Sequence, residues 1–167
     1  MTPDFSSALR TVFLEGLKLE FTNTGKVFAA IPNEHHDYKP DAKSKTAMEL
    51  AWHTATVDVW FLDSIAAHKF VPGDLPLPEG IKTGADIAAW YATATAASLP
   101  KVEAMTGEQL MAAVDFYGVY NMPAVMYLQF MNNHMIHHRG QLSTYLRAMG
   151  GKCPAIYGGS ADENPFA

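Results

Sequence analysis

Apolar residues recur at three- and four-residue spacings in four long stretches, and prolines, glycines and polar clusters fall between them, which predicts four amphipathic helices. The first is expected from about Ser7 to Ala30, with Leu9, Phe13, Leu17, Phe21 and Phe28 facing a core. It stops at Ile31-Pro32, because proline disfavours a helical residue before it. The following loop, from Pro32 to Pro40, carries Asn33, His35, His36 and Asp37. The second helix is expected from an N-cap at Ser44 to about Lys69, where the segment VPGDLPLPEG breaks it.

The third is expected to start at Thr83, with Asp86 three residues on as a capping-box variant, and to run past Trp90 and Tyr91 towards Leu99. Pro100 either ends it or sits in a second short turn. After a polar turn from Thr106 to Gln109, the stretch AAVDFYGVYN fits an extended segment or a loose lead-in and receives no assignment. The fourth helix is expected from Met122 or Pro123 to Met149, where Gly150-Gly151 supplies a left-handed termination. The remainder, KCPAIYGGSADENPFA, has turn-forming composition and predicts an ordered, irregular tail.

Four helices without a clear strand pattern imply an all-α, four-helix bundle. The connection between helices 2 and 3, about a dozen residues at about 3.3 Å each, is long enough to cross the length of a bundle. Helices 2 and 3 are therefore free to lie parallel.

A chain of 167 residues, 49% hydrophobic, fits one domain with a core that needs no covalent staples. Its single cysteine, Cys153, cannot form an internal disulfide and is expected to be an unreactive thiol. The first residues interleave charge with apolar side chains and lack the continuous apolar run of a signal peptide, and no window reaches a membrane span. The expectation is a cytoplasmic protein without a membrane partner. A formal net charge of −5 opposes the phosphate attraction that nucleic-acid binders use, so no nucleic-acid partner is expected.

Seven histidines change the picture, because His134, His137 and His138 fall inside the fourth helix as NHMIHHRGQL. Residues four apart lie about 40° apart around a helix and one turn displaced, so the imidazoles of His134 and His138 can reach one metal ion. Both project towards the apolar arc holding Tyr127, Met131, Met135 and Leu142, whereas His137, about 60° the other way, faces the rim or solvent. On the second helix His53 projects with Leu50, Val57, Phe61 and Trp60, again inward. Each helix thus places imidazole in the middle of an apolar stripe, and buried imidazole nitrogens need partners. Measured from their helix starts, His53 lies about 15 Å along and the pair about 18 to 24 Å along, so one shared divalent cation at mid-bundle would satisfy all three.

Three neutral imidazoles leave a coordination position open for water or substrate. Zinc, nickel, copper and iron all accept imidazole, with zinc or nickel the first expectation and iron or copper the next. Glu49, one turn before His53, is a candidate fourth ligand, supporting acceptor or proton carrier, or else a solvated early-helix carboxylate favoured by the dipole. Gln141 is a candidate donor to water or substrate at the cation. Trp60, Phe61, Tyr127, Phe130 and Tyr145 either line a pocket or form plain core.

At HxxxHRGQL, His134 to Leu142, the sequence resembles the DinB-like family, also grouped with bacterial thiol-dependent transferases. The segment MELAWH ending at His53, the loop IPNEHHDYKPDAKSK and the tail PAIYGGSADE extend the resemblance over essentially the whole chain. The resemblance implies a bundle in up-down-down-up order, often a homodimer, with a divalent metal held by one histidine on helix 2 and two on helix 4. Those positions match His53, His134 and His138. It also implies a small-molecule substrate: some relatives are transferases using a low-molecular-weight thiol, one is a mycothiol-dependent isomerase, and others are described only as metal-dependent hydrolases. The family name, shared with an unrelated polymerase, implies no nucleic-acid function. Nothing in the residues selects among these, and a non-catalytic metal or small-ligand binding bundle remains the alternative.

Overall fold

Thr2 opens the first helix by accepting a hydrogen bond from Phe5 N, with Pro3 at its first position and Asp4 in its first turn. This computed structural model describes residues 1–73 and 75–166, and Asp74 in the expected breaker lies outside the described residues. The helix, α1, runs Pro3–Ala29, four residues earlier than the hydrophobic pattern predicts, because its start is set by capping chemistry. Leu17, Phe21 and Phe28 are buried as expected, while Leu9 and Phe13 are only partly buried and Leu14 and Val27 complete the core face.

The second helix, α2, spans Ala47–Ala66. Its cap is Thr46, not Ser44: Thr46 accepts from Glu49 N while the Glu49 carboxylate accepts from Thr46 N, a reciprocal capping box. Ser44 instead donates to Asp41 in the preceding turn. The third helix, α3, spans Gly84–Glu103 and is capped by Thr83 and Asp86 as expected. Pro100 lies inside its last turns, where it does not end the helix. The turn at Thr106 becomes a short helix, α4, Gly107–Met111, with its own capping box to Gln109.

The stretch left unassigned forms an antiparallel hairpin, β1 Ala113–Phe116 and β2 Tyr120–Pro123, with Phe116 opposite Tyr120. Its turn places Tyr117 at φ 54 and Gly118 at φ 70, and Asp115 accepts from Gly118 N. The last helix, α5, spans Met126–Ala148, and Gly150 at φ 72 follows its end as expected. The hairpin absorbs the residues that would otherwise have begun it.

The bundle order follows from named contacts. Arg10 near the start of α1 donates to Glu103 O and Met105 O at the end of α3, so these two helices are antiparallel. Trp52 packs against Trp90 and Lys101 pairs with Asp63, so α2 and α3 run parallel. Phe61 meets Phe130 while His53 meets His138, which makes α2 and α5 antiparallel. The order is up-down-down-up, with α1 and α2 each touching both α3 and α5.

Parallel α2 and α3 require the chain to return along α2. Trp60 Nε1 donates to Val71 O and Trp52 Nε1 to Leu75 O, each at under 3 Å, so two indoles eight residues apart hold a strap running back along the helix. Phe70 of this strap and Phe116 of the hairpin join Phe61, Tyr127 and Phe130 in one aromatic cluster. No described helix is long and apolar enough to cross a membrane.

Candidate metal centre

His53 enters the site from the first half of α2, and His134 and His138 from one face of α5, one turn apart. Antiparallel packing brings these positions level. One ring nitrogen from each of the three lies within 4.8 Å of the others, and the ring centroids are 4.4 to 5.3 Å apart. His137 is exposed and outside this group, as its helical bearing predicts, although its ring lies 5.0 Å from that of His138.

The triad does not sit in the middle of the apolar stripes. With His134 at zero, the buried residues of α5 span about 20° to 140°, and the apolar centre of α2 lies about 120° from His53. All three histidines are therefore half-buried at the edge of the core. That position is better suited to a site with an open coordination position than a central one. Because α2 begins at Ala47, His53 is about 9 Å from its start and about 5 Å short of its midpoint, while His134 and His138 straddle the middle of α5, so the triad lies close to mid-bundle.

Burial, followed by the neighbouring His138, His53 and His137, pushes His134 from 6.5 down to about 3. Burial also lowers His138, with Gln141 opposing and His137 and Lys45 adding to the shift. Neutral imidazole is the ligating form, so these shifts keep the lone pairs available. His134 Nδ1 is buried and has no hydrogen-bond partner among the described residues. A three-imidazole donor set with an orphaned buried nitrogen fits a divalent cation.

Gln141 stands beside the triad. Its Oε1 accepts from His138 Nδ1 at 2.7 Å, which leaves Nε2 of that ring as the nitrogen with the lone pair. Glu49 is exposed, held in its capping box and absent from the group of converging nitrogens; the backbone hydrogen bond from Thr46 is the main reason its pKa is lowered. It does line a cleft of about 270 Å³ beside His53, together with Lys45, Trp52, Leu75 and Leu77. Of the aromatics considered as pocket walls, Tyr127 is fully buried and donates to Val114 O, and Trp60 and Phe130 belong to the aromatic cluster. Phe61 borders the triad, 6.4 Å from His134. Tyr145 packs on Tyr38 of the loop before α2. Cys153 is half-buried and donates to Ser143 O.

Two charged residues in the core escaped the sequence analysis. Arg139, next to His138, is buried and pairs with Glu20 of α1, donates to Thr24, and meets the hydroxyl of Tyr157 from the tail. Asp58 is fully buried, accepts from Tyr91 at 2.6 Å and is pushed well up by desolvation. The available signal was their bearing: both lie about 140° from the histidine on their helix, inside the apolar arc.

Comparison with known proteins agrees with this architecture. Residues 8–164 match the DinB family model. The uncharacterised protein YrdA of Bacillus subtilis strain 168 is 27% identical over 153 residues, 90% of this chain and 89% of that protein. The crystal structure of a DinB-like protein from Bacillus cereus ATCC 10987 superposes with a TM-score of 0.73 at 27% identity, covering 87% of this chain and 95% of that one. That of the DinB-like protein YjoA of Bacillus subtilis gives 0.69 at 26% identity, covering 89% and 97%.

Proposed function

Since the chain belongs to the DinB family, we propose that His53, His134 and His138 bind one divalent cation and that the loaded site acts on a small molecule. The observation that carries this reading is the convergence of three imidazole nitrogens within 4.8 Å at a half-buried edge of the core. Zinc or nickel is the first expectation for the cation, iron or copper the next. A divalent cation held only by neutral ligands keeps its charge and favours the ionised form of a thiol or water arriving beside it.

The chain's own groups prepare that event. Gln141 orients His138, burial keeps His134 neutral, and Phe61 on one side with Trp52 near the other limits water. Transfer of a low-molecular-weight thiol to an electrophile and hydrolysis of a small substrate are the two reactions this site suits.

The test begins with metal analysis of protein purified without a polyhistidine tag. Apo protein, reconstituted protein and His138→Ala are then compared on thiol-plus-electrophile panels and on ester and amide panels. Faster turnover by the reconstituted protein alone is expected. Stoichiometric metal with no gain on any panel would replace the enzyme by a metal-binding bundle.

A cytoplasmic homodimer is also proposed. Phe5, Val12 and Leu19 are exposed on α1 at seven-residue spacing, an apolar stripe that a second copy would cover. Solution scattering that gives a monomer mass at every concentration would remove it.

A further inference from the structure

The cleft beside His53 is lined by two charged side chains, Lys45 and Glu49, and by the apolar Trp52, Leu75 and Leu77. The two charges differ in availability. Glu49 is occupied by the backbone N–H of Thr46, whereas Lys45 forms no ion pair or hydrogen bond among the described residues. Lys45 precedes α2 and lines the same cleft as His53. Lys39 acts on Glu49.

The start of α2 cannot itself receive an anion, because its N–H groups are taken. Ala47 N donates to Tyr38 O, Met48 N to His36 O, and Glu49 N to Thr46 Oγ1. Any anion entering this cleft therefore has the Lys45 ammonium as its partner. Leu75 and Leu77 are exposed apolar side chains of the strap, and Leu75 O accepts from the Trp52 indole, which ties the strap to α2.

We propose that Lys45 selects the substrate class: a small organic acid whose carboxylate pairs with Lys45, whose hydrocarbon lies on Trp52, Leu75 and Leu77, and whose donor atom reaches the three histidines. This rests on the metal-site reading above. An unpaired ammonium at the mouth of a cleft draws in and orients an anion, while the apolar lining favours a carbon chain over a mineral anion. A neutral ligand of the same length gains only the second of these.

The experiment uses cobalt(II)-loaded protein, whose visible absorption reports any new ligand at the cation independently of turnover. It is titrated with 6-mercaptohexanoate and with 6-mercaptohexanol, the neutral counterpart. Wild type is expected to bind the acid about fivefold more tightly, a preference that weakens with added salt. Lys45→Ala is expected to lose the preference with cobalt stoichiometry unchanged, Lys45→Arg to keep it, and Lys45→Glu to reverse it. An equal preference in wild type and Lys45→Ala would overturn the assignment, since the charge of the cation alone would then explain it, and so would no preference in wild type. Failure to load cobalt at all would instead sink the metal-site reading, and this inference with it.

Discussion

His138 Nδ1 donates to Gln141 Oε1 across 2.7 Å, less than one helical turn away on the same face of α5. With Oε1 as the acceptor, this bond places the His138 proton on Nδ1 and leaves the lone pair on Nε2. Gln141 thereby holds the ring in place, and partners of this kind contribute about 10- to 100-fold in metal affinity.

Gln141→Ala should therefore weaken metal binding by about tenfold, the lower end of that range because the pair is partly solvated. Competition against a chromogenic chelator measures it. Unchanged affinity would mean that the ring is oriented by packing alone.

His134→Ala should abolish most metal affinity, whereas His137→Ala should leave it largely intact, because only His134 shares the 4.8 Å group. Both variants should retain their helical circular dichroism, the core being independent of the site. Equal losses in a titration of the two would contradict the assignment of ligands.

The folded-state pKa of His134, about 3 against 6.5, predicts a pH effect on the apo protein. Between those values the unfolded chain binds more protons, so this group favours folding fully above 6.5 and ever less as pH falls towards 3. Asp58, raised by burial, acts with the opposite sign in the acidic range, so the readout is a difference between variants. Urea midpoints at pH 7.5 and 5.5 should change in the acid-labile direction more for wild type than for His134→Gln. A steeper acid loss in the variant would refute the shift.

Asp58→Asn isolates the other sign. Asparagine keeps an acceptor for the Tyr91 hydroxyl but does not ionise, so the variant should gain stability relative to wild type as pH rises from 5 to 8. Parallel denaturation profiles for the two proteins would show that Asp58 is not held protonated by the core.

Arg139 and Glu20 form an ion pair whose side chains are only 3% and 12% exposed. Arg139→Ala should cost about 3 to 5 kcal/mol by leaving the Glu20 carboxylate without its cation, and it should loosen the tail by removing one of the two partners of Tyr157, the other being Glu20. Replacing both, as Arg139→Met with Glu20→Gln, should recover a large part of that loss in thermal unfolding. If the double variant is as unstable as the single one, packing of the guanidinium matters more than its charge.

Local chemistry in the chain was sufficient for four helices, for the Thr83–Asp86 cap, for the glycine termination after Met149, and for the placement of His134, His138 and His53 on facing helices, because caps and helical period act within a few residues. It was not sufficient where partners are distant. The hairpin at Ala113–Pro123 exists because Phe116 and Tyr127 bury one side of it against Phe61 and Phe70, residues some 50 positions away. The parallel course of α2 and α3 depends on two indoles holding a returning strap. Glu49 beside His53, Gln141 beside His138 and Lys45 over the cleft each carry several chemically plausible roles in one dimension. Partners three residues away decide the first two, Thr46 for Glu49 and His138 for Gln141, whereas the cleft that Lys45 shares with Trp52, Leu75 and Leu77 exists only once the strap folds back along α2, since helical period fixes direction but not distant neighbours.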